Sequence, residues 1–253
     1  MEKRPYCLEK AGLKREESGH GLGKGIIAYP VTHVPPFFPS PLLWRFGDSI
    51  SIHYWPYFSQ AVHGWARTGE PAGREHALEK MDERRGNNCG DSRGLRSAIA
   101  AALEDPAFRP EIVILNAGLH DIKFDPASGQ HQVPCSEYRE NIHVAIQSLR
   151  QRGCQACWVQ TTPLDDDYHA SFQKGFIRRM RDVRAYNLAA AEVAGRGGAW
   201  VVALDEFTAS LSVPWFVDHV HFLPEIRQAQ GAYLARQVQS AWEARGQKRE
   251  LAA

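Results

Sequence analysis

Four short runs of apolar residues stand out along the chain: Leu42–Phe46, Glu111–Asn116, Cys154–Thr161 and Ala199–Leu204. Each is nearly continuous instead of alternating, the pattern of a strand covered on both faces. The segments between them repeat at helical spacing. Arg93–Leu103 sets Leu95, Ile99 and Leu103 four apart. Ser136–Arg152 gathers Tyr138, Ile142, Ala145, Ile146 and Leu149 into one stripe, with Ser136 the expected N-cap and Gly153 the expected stop. Phe176–Ala194 and Glu225–Ala244 read as helices of the same kind, the latter opening just after Pro224. Gly195–Gly198 reads as a helix-end turn. Strand and helix in alternation predict an α/β fold, a parallel sheet with helices on both sides.

No internal repeat and no second domain is evident. One domain is expected over residues 41–246, preceded by an N-terminal extension (1–40) and followed by a short tail (247–253). A chain of 253 residues can bury a sizeable core without covalent staples. Its formal net charge of +1 gives no global pull toward nucleic acid or anionic lipid. No run approaches the length of a membrane span. Met1–Gly25 is rich in Lys, Arg, Glu and Gly and lacks the apolar stretch of a secretory signal, so a cytoplasmic location is the default expectation. Among five cysteines, Cys154 and Cys157 make a C-x-x-C. It falls inside a predicted strand, where the two side chains point to opposite faces, and no second ligand pair follows. Core packing is the expectation, with no metal and no other cofactor.

The first apolar run stops at Gly47-Asp48-Ser49, a turn that exposes a hydroxyl at the end of a strand. Near the C-terminus Asp218 and His221 lie three residues apart, able to face the same way on one turn. Nucleophile, base and orienting carboxylate are the minimum set for acyl transfer through a serine ester. Binding sites of parallel sheets form beyond the C-terminal ends of strands. Ser49 and the loop Gly118–Asp121 both fall on that edge. Taken alone, Ser49 reads as a turn residue or helix cap in preference to a nucleophile, and Asp48 as the residue holding the turn. His219 points away from the Asp218–His221 face and reads as a pocket or surface residue; His53, His63 and His76 are given no role. Tyr54, Trp55, Tyr57 and Phe58 either wall a pocket or pack in the core, and Asp165–His169 either borders the pocket or is a solvated loop tip. The chain lacks a G-x-S-x-G elbow, which disfavours the common α/β-hydrolase arrangement.

Four segments, taken in order, resemble the SGNH or GDSL family of serine hydrolases: Phe46–Ser51 (FGDSIS), Asn88–Leu95 (NCGDSRGL), Leu115–Ile122 (LNAGLHDI) and Asp218–Glu225 (DHVHFLPE). The resemblance runs from about Leu42 to Trp242 and includes Ala185-Tyr186-Asn187. It implies a three-layer, flavodoxin-like α/β/α sandwich and a serine esterase with catalytic Ser49, His221 and Asp218. It also implies an oxyanion hole from the backbone amides of Ser49 and Gly90 and the side chain at the Asn position of a G-x-N-D motif. Here that position is His120, a departure. A neutral imidazole donates one N–H, so the task is chemically possible; Asn116 is the reserve donor. Gly90 suits an amide that must approach a substrate oxygen closely. The substrate implied is a small-molecule or carbohydrate ester, with a short-acyl or acetylated carbohydrate as the first guess by analogy. The alternatives are a non-catalytic module holding acylated sugars and an O-acyltransferase.

Overall fold

A computed structural model describes residues 40–211 and 216–250. The expected N-terminal extension, apart from Ser40, lies outside the described residues. The four apolar runs become β1 (Leu42–Phe46), β3 (Ile112–Leu115), β6 (Gln155–Val159) and β7 (Trp200–Val202). A fifth strand, β2 (Arg67–Gly69), joins at the edge, giving a wholly parallel sheet in the order β2-β1-β3-β6-β7. All four residues of β3 are buried, as expected for a central strand sandwiched between helix layers.

Helices α1 (Ser49–Val62) and α8 (Pro224–Glu250) pack on each other on one face. α3 (Ser92–Glu104), α4 (Cys135–Gln151) and α6 (Met180–Arg196) pack side by side on the other, as right-handed crossovers require. The short helices α2 (Arg74–Glu79), α5 (Asp166–Phe172) and α7 (Leu204–Ala209), with the hairpin β4 (Phe124–Asp125)–β5 (Gln130–His131), complete the described residues. The result is the expected α/β/α sandwich. Among the described residues no helix is long and apolar enough to cross a membrane.

Several boundaries differ from the sequence expectation. α4 starts at Cys135, with Pro134 at the cap, so Ser136 lies inside the first turn and caps nothing. α6 starts at Met180, not Phe176, because Ile177 pairs with Phe124 in an antiparallel bridge that holds the segment extended. α8 includes Pro224 as its first residue, where a missing N–H is harmless, and continues to Glu250, past the expected domain end. Cys154 and Cys157 are buried free thiols in and beside β6. Tyr54, Trp55 and Phe58 belong to the core. Asp165–His169 is not a loop tip: Asp165 caps α5 through the Tyr168 N–H at 2.7 Å, and His169 is buried.

Candidate active site

β1 ends at the Gly-Asp-Ser turn because Asp48 stops the strand and starts a helix. Its Oδ1 accepts the Ile50 N–H at 3.0 Å, so Asp48 is the N-cap and Ser49 the first residue of α1. Burial pushes the Asp48 carboxyl up to about 6, against the pull of that hydrogen bond. The turn is tied to both neighbouring loops: Cys89 N–H donates to the Gly47 carbonyl at 3.0 Å, and Asp48 N–H to Asn116 Oδ1 at 3.2 Å. At the first helical position the Ser49 N–H has no intrahelical acceptor, so it stands open at the positive end of a 14-residue helix.

The second half of the site is a short loop clamped at its base. Phe216 and Phe222 form an antiparallel bridge, and Val217 N–H donates to the His221 carbonyl at 2.8 Å. Within the loop, Asp218 Oδ1 accepts the N–H groups of Val220 and His221 at 3.0 and 2.8 Å. Its Oδ2 lies 2.7 Å from His221 Nδ1, and His221 Nε2 lies 2.8 Å from Ser49 Oγ. Partial burial pushes the Asp218 carboxyl up, but the hydrogen bonds and charge of His221 outweigh it and hold the group well below the usual carboxylate range. An ionised Asp218 fixes the proton on Nδ1 and leaves the Nε2 lone pair facing the hydroxyl. Ser49 and His221 are buried and 172 residues apart in sequence.

Around Ser49 Oγ the donors are less uniform. Gly90 has φ +69°, a conformation that favours glycine, but its N–H donates to Asn88 Oδ1 at 2.9 Å. Asn88 is itself pinned by Nδ2 to the Met81 carbonyl at 2.8 Å. His120 is buried in the turn after β3, and its ring makes no hydrogen bond among the described residues. Burial, then the charges of Lys123, Arg178 and His221, hold its pKa well below the ordinary histidine value, so it is neutral and has one N–H to give. Gly118 brings this turn hard against β6's exit: at φ +152° a Cβ would lie 2.0 Å from Thr161 Oγ1. Asn116, the reserve donor, accepts the Asp48 N–H on its Oδ1, a bond that ties its side chain to the Gly-Asp-Ser turn and does not involve its donor atom Nδ2.

Comparisons with known proteins give the family and the fold. Residues 46–229 match the GDSL-like lipase/acylhydrolase family. The chain belongs to that family. It is thereby an enzyme of the ester-cleaving GDSL class. A GDSL-like lipase from Bacteroides thetaiotaomicron VPI-5482 is similar in structure, with a TM-score of 0.57 at 12% identity over 80% of this chain and 89% of that one. A lipase/acylhydrolase from Enterococcus faecalis gives 0.55 at 14% identity over 79% and 96%. Est24, a carbohydrate acetylesterase from Sinorhizobium meliloti, gives 0.52 at 13% identity over 79% and 99%. No curated protein sequence matches the chain.

Within this GDSL frame several residues lie near the site to which the sequence assigned no role, together with His219, which it read as a pocket or surface residue. Arg178 is buried, donates from Nε to the Leu119 carbonyl at 2.6 Å, and approaches His219 Nε2 at 3.4 Å and Asp82 Oδ1 at 3.8 Å. It joins the His120 turn, the Asp82 segment and the His221 loop. His219 is buried, not at the surface, and lies 3.3 Å from Asp82 Oδ2. His53 sits one helical turn after Ser49 with its ring 5.2 Å from that of His221, and burial lowers its pKa to about 3. Arg45, fully buried on β1, holds Ser51 Oγ and Glu70 Oε2, each at 2.7 Å. Only the i, i+4 spacing of His53 from Ser49 was readable in advance.

Proposed function

We propose that this chain is a serine esterase that hydrolyses a carboxylic ester through an acyl-enzyme formed on Ser49. What carries the reading is the unbroken row from Asp218 Oδ2 through the His221 ring to Ser49 Oγ, with hydrogen-bond distances of 2.7 and 2.8 Å. His221 Nε2 takes the hydroxyl proton as Oγ attacks the ester carbonyl. Asp218 stabilises the imidazolium that forms, and the same proton passes to the departing alcohol. Water, activated by His221 in turn, releases the acid.

The oxyanion is assigned to the open Ser49 N–H, the His120 N–H and the Gly90 N–H. The last is shared with Asn88 Oδ1 as a three-centre bond once substrate is bound. Metal chemistry has no part in this reading. For the substrate we favour a short-acyl or acetylated carbohydrate ester, a choice supported by the carbohydrate acetylesterase Est24 among the structural relatives. The test is hydrolysis of p-nitrophenyl acetate by Ser49→Ala. A loss of about a thousandfold or more in kcat is expected; turnover at the parent's rate would overturn the assignment.

A further inference from the structure

Against His120 and Gly90 lies a cavity of about 300 Å³ whose walls are polar and charged. Its charges do not pair evenly. Arg93 meets the two carboxylate oxygens of Glu137 through Nε and Nη2, one edge of its guanidinium. Asp82 turns its carboxylate toward His219 and Arg178, 3.3 and 3.8 Å away. Asp91 spends one oxygen on the Gly94 N–H and the other on Gln132 Nε2, at 3.0 and 2.9 Å.

Two cations on the same walls, the half-buried Lys123 and the exposed Arg84, form no ion pair among the described residues, and they face a single carboxylate, Asp91, that is bound only by neutral donors. Lys123 Nζ is half-buried, lies 4.8 Å over the Phe176 ring and donates only to the Asp82 backbone carbonyl at 3.3 Å. No carboxylate lies within ion-pair distance of it among the described residues. Arg84 likewise forms no ion pair there, and its stem lies beside Gly90, whose missing Cβ would come 3.1 Å from Arg84 Cβ. A half-buried ammonium with no carboxylate at ion-pair distance is costly, and burial with the nearby Arg178 charge pushes Lys123 down to about 8 against the opposing pull of the Asp82 and Asp91 charges. A neutral sugar hydroxyl would leave that charge uncompensated. An anion would complete it with charge-assisted hydrogen bonds.

We infer that the ester carries an anionic group, a carboxylate, phosphate or sulfate, which Lys123 and Arg84 receive in this cavity beside the oxyanion donors. The inference rests on the esterase reading and narrows it: the substrate is an acidic ester, with the charge on either the acyl or the alcohol side of the bond.

The experiment compares kcat/KM within two matched pairs. Monophenyl glutarate against phenyl valerate places the charge on the acyl side; 4-acetoxybenzoate against 4-acetoxybenzamide places it on the alcohol side. One anionic ester is expected to exceed its neutral partner by about tenfold, and its KM to rise with salt while the neutral partner's does not. In Lys123→Met and in Arg84→Gln that ratio is expected to fall toward one; a ratio taken on a single variant cancels any loss common to both substrates. The salt dependence of the parent enzyme serves if a variant does not fold. Neutral esters hydrolysed as well as both anionic ones, or a preference that survives in both variants, would overturn this inference alone. Absence of turnover on all four esters would overturn the esterase reading and the inference with it.

Discussion

The two sides of Ser49 are built differently. Toward the C-terminal loop every group is already in its working bond: Asp218 holds two backbone N–H groups and the His221 ring, and the ring meets the hydroxyl. Toward the β3 exit the donors stand apart. Among the described residues the Ser49 N–H and the His120 ring have no hydrogen-bond partner, and the Gly90 N–H is taken by Asn88. The first side is assembled by short-range contacts within one clamped loop, so its geometry is fixed before substrate arrives. The second is assembled from three loops tied to one another by the Cys89 N–H to the Gly47 carbonyl, the Asp48 N–H to Asn116 Oδ1 and the Ser92 N–H to Asp121 Oδ1, and on the proposed reading the Gly90 N–H must be shared when an oxyanion forms. Preorganisation, on that reading, is therefore concentrated on proton transfer.

That contrast predicts graded losses. The largest belongs to the preorganised side. Asp218→Asn cannot hold the imidazole tautomer by charge, and kcat should fall by roughly a thousandfold or more in steady-state assays on p-nitrophenyl acetate. A loss below about tenfold would mean the loop does not serve the hydroxyl. On the other side, His120→Ala should lower kcat by about a hundredfold, with KM little changed, as for removal of one oxyanion donor. His120→Asn should recover most of it, because an amide donates in the same way. Equal kcat for His120→Ala and the parent would remove the imidazole from the site.

The sequence reached the two sides unequally, and for physical reasons. β3 and β6, and most of β1, were legible because a strand buried on both faces must be apolar throughout; β7 showed the same apolar run although it is an edge strand with Val201 exposed. Ser49, Asp218 and His221 were legible because local motifs place them at strand and helix ends. β2 was not, since three residues of an edge strand, Arg67-Thr68-Gly69, need no apolar pattern. The start of α6 was misread because the extended backbone at Ile177 is imposed by Phe124, some fifty residues away, and helical spacing alone does not report it. Arg178, Lys123 and Asp82 were invisible for the same reason: a charged residue acquires its role only from segments distant in the chain. The oxyanion side depends on such tertiary contacts, and it is the side the sequence described least completely.

The smallest effect concerns stability and separates the two sides by sign. Asp121, below His120, accepts the Ser92 N–H at 2.9 Å on one oxygen and has no partner on the other; burial raises its carboxyl to about 7. Its folded form binds the proton more tightly than the unfolded chain does. Its contribution is therefore fully present at low pH and is lost as pH rises from the ordinary carboxylate range through about 7. Asp218, held low by His221, acts in the opposite direction: its contribution is present at neutral pH and is lost on acidification. In thermal melts, Asp121→Asn should flatten the decline in Tm between mildly acid and mildly alkaline buffer. A decline identical to the parent's would contradict the buried, proton-holding carboxyl.

The central claim is that the hydroxyl of Ser49 is activated by His221 without help from bound substrate. Intact-protein and peptide mass spectrometry after exposure to a fluorophosphonate measures this directly. The account predicts one adduct per chain, located on Ser49, forming much more slowly in Asp218→Asn and absent in Ser49→Ala. A folded parent protein that takes up no label, or takes it up at another residue, would contradict it.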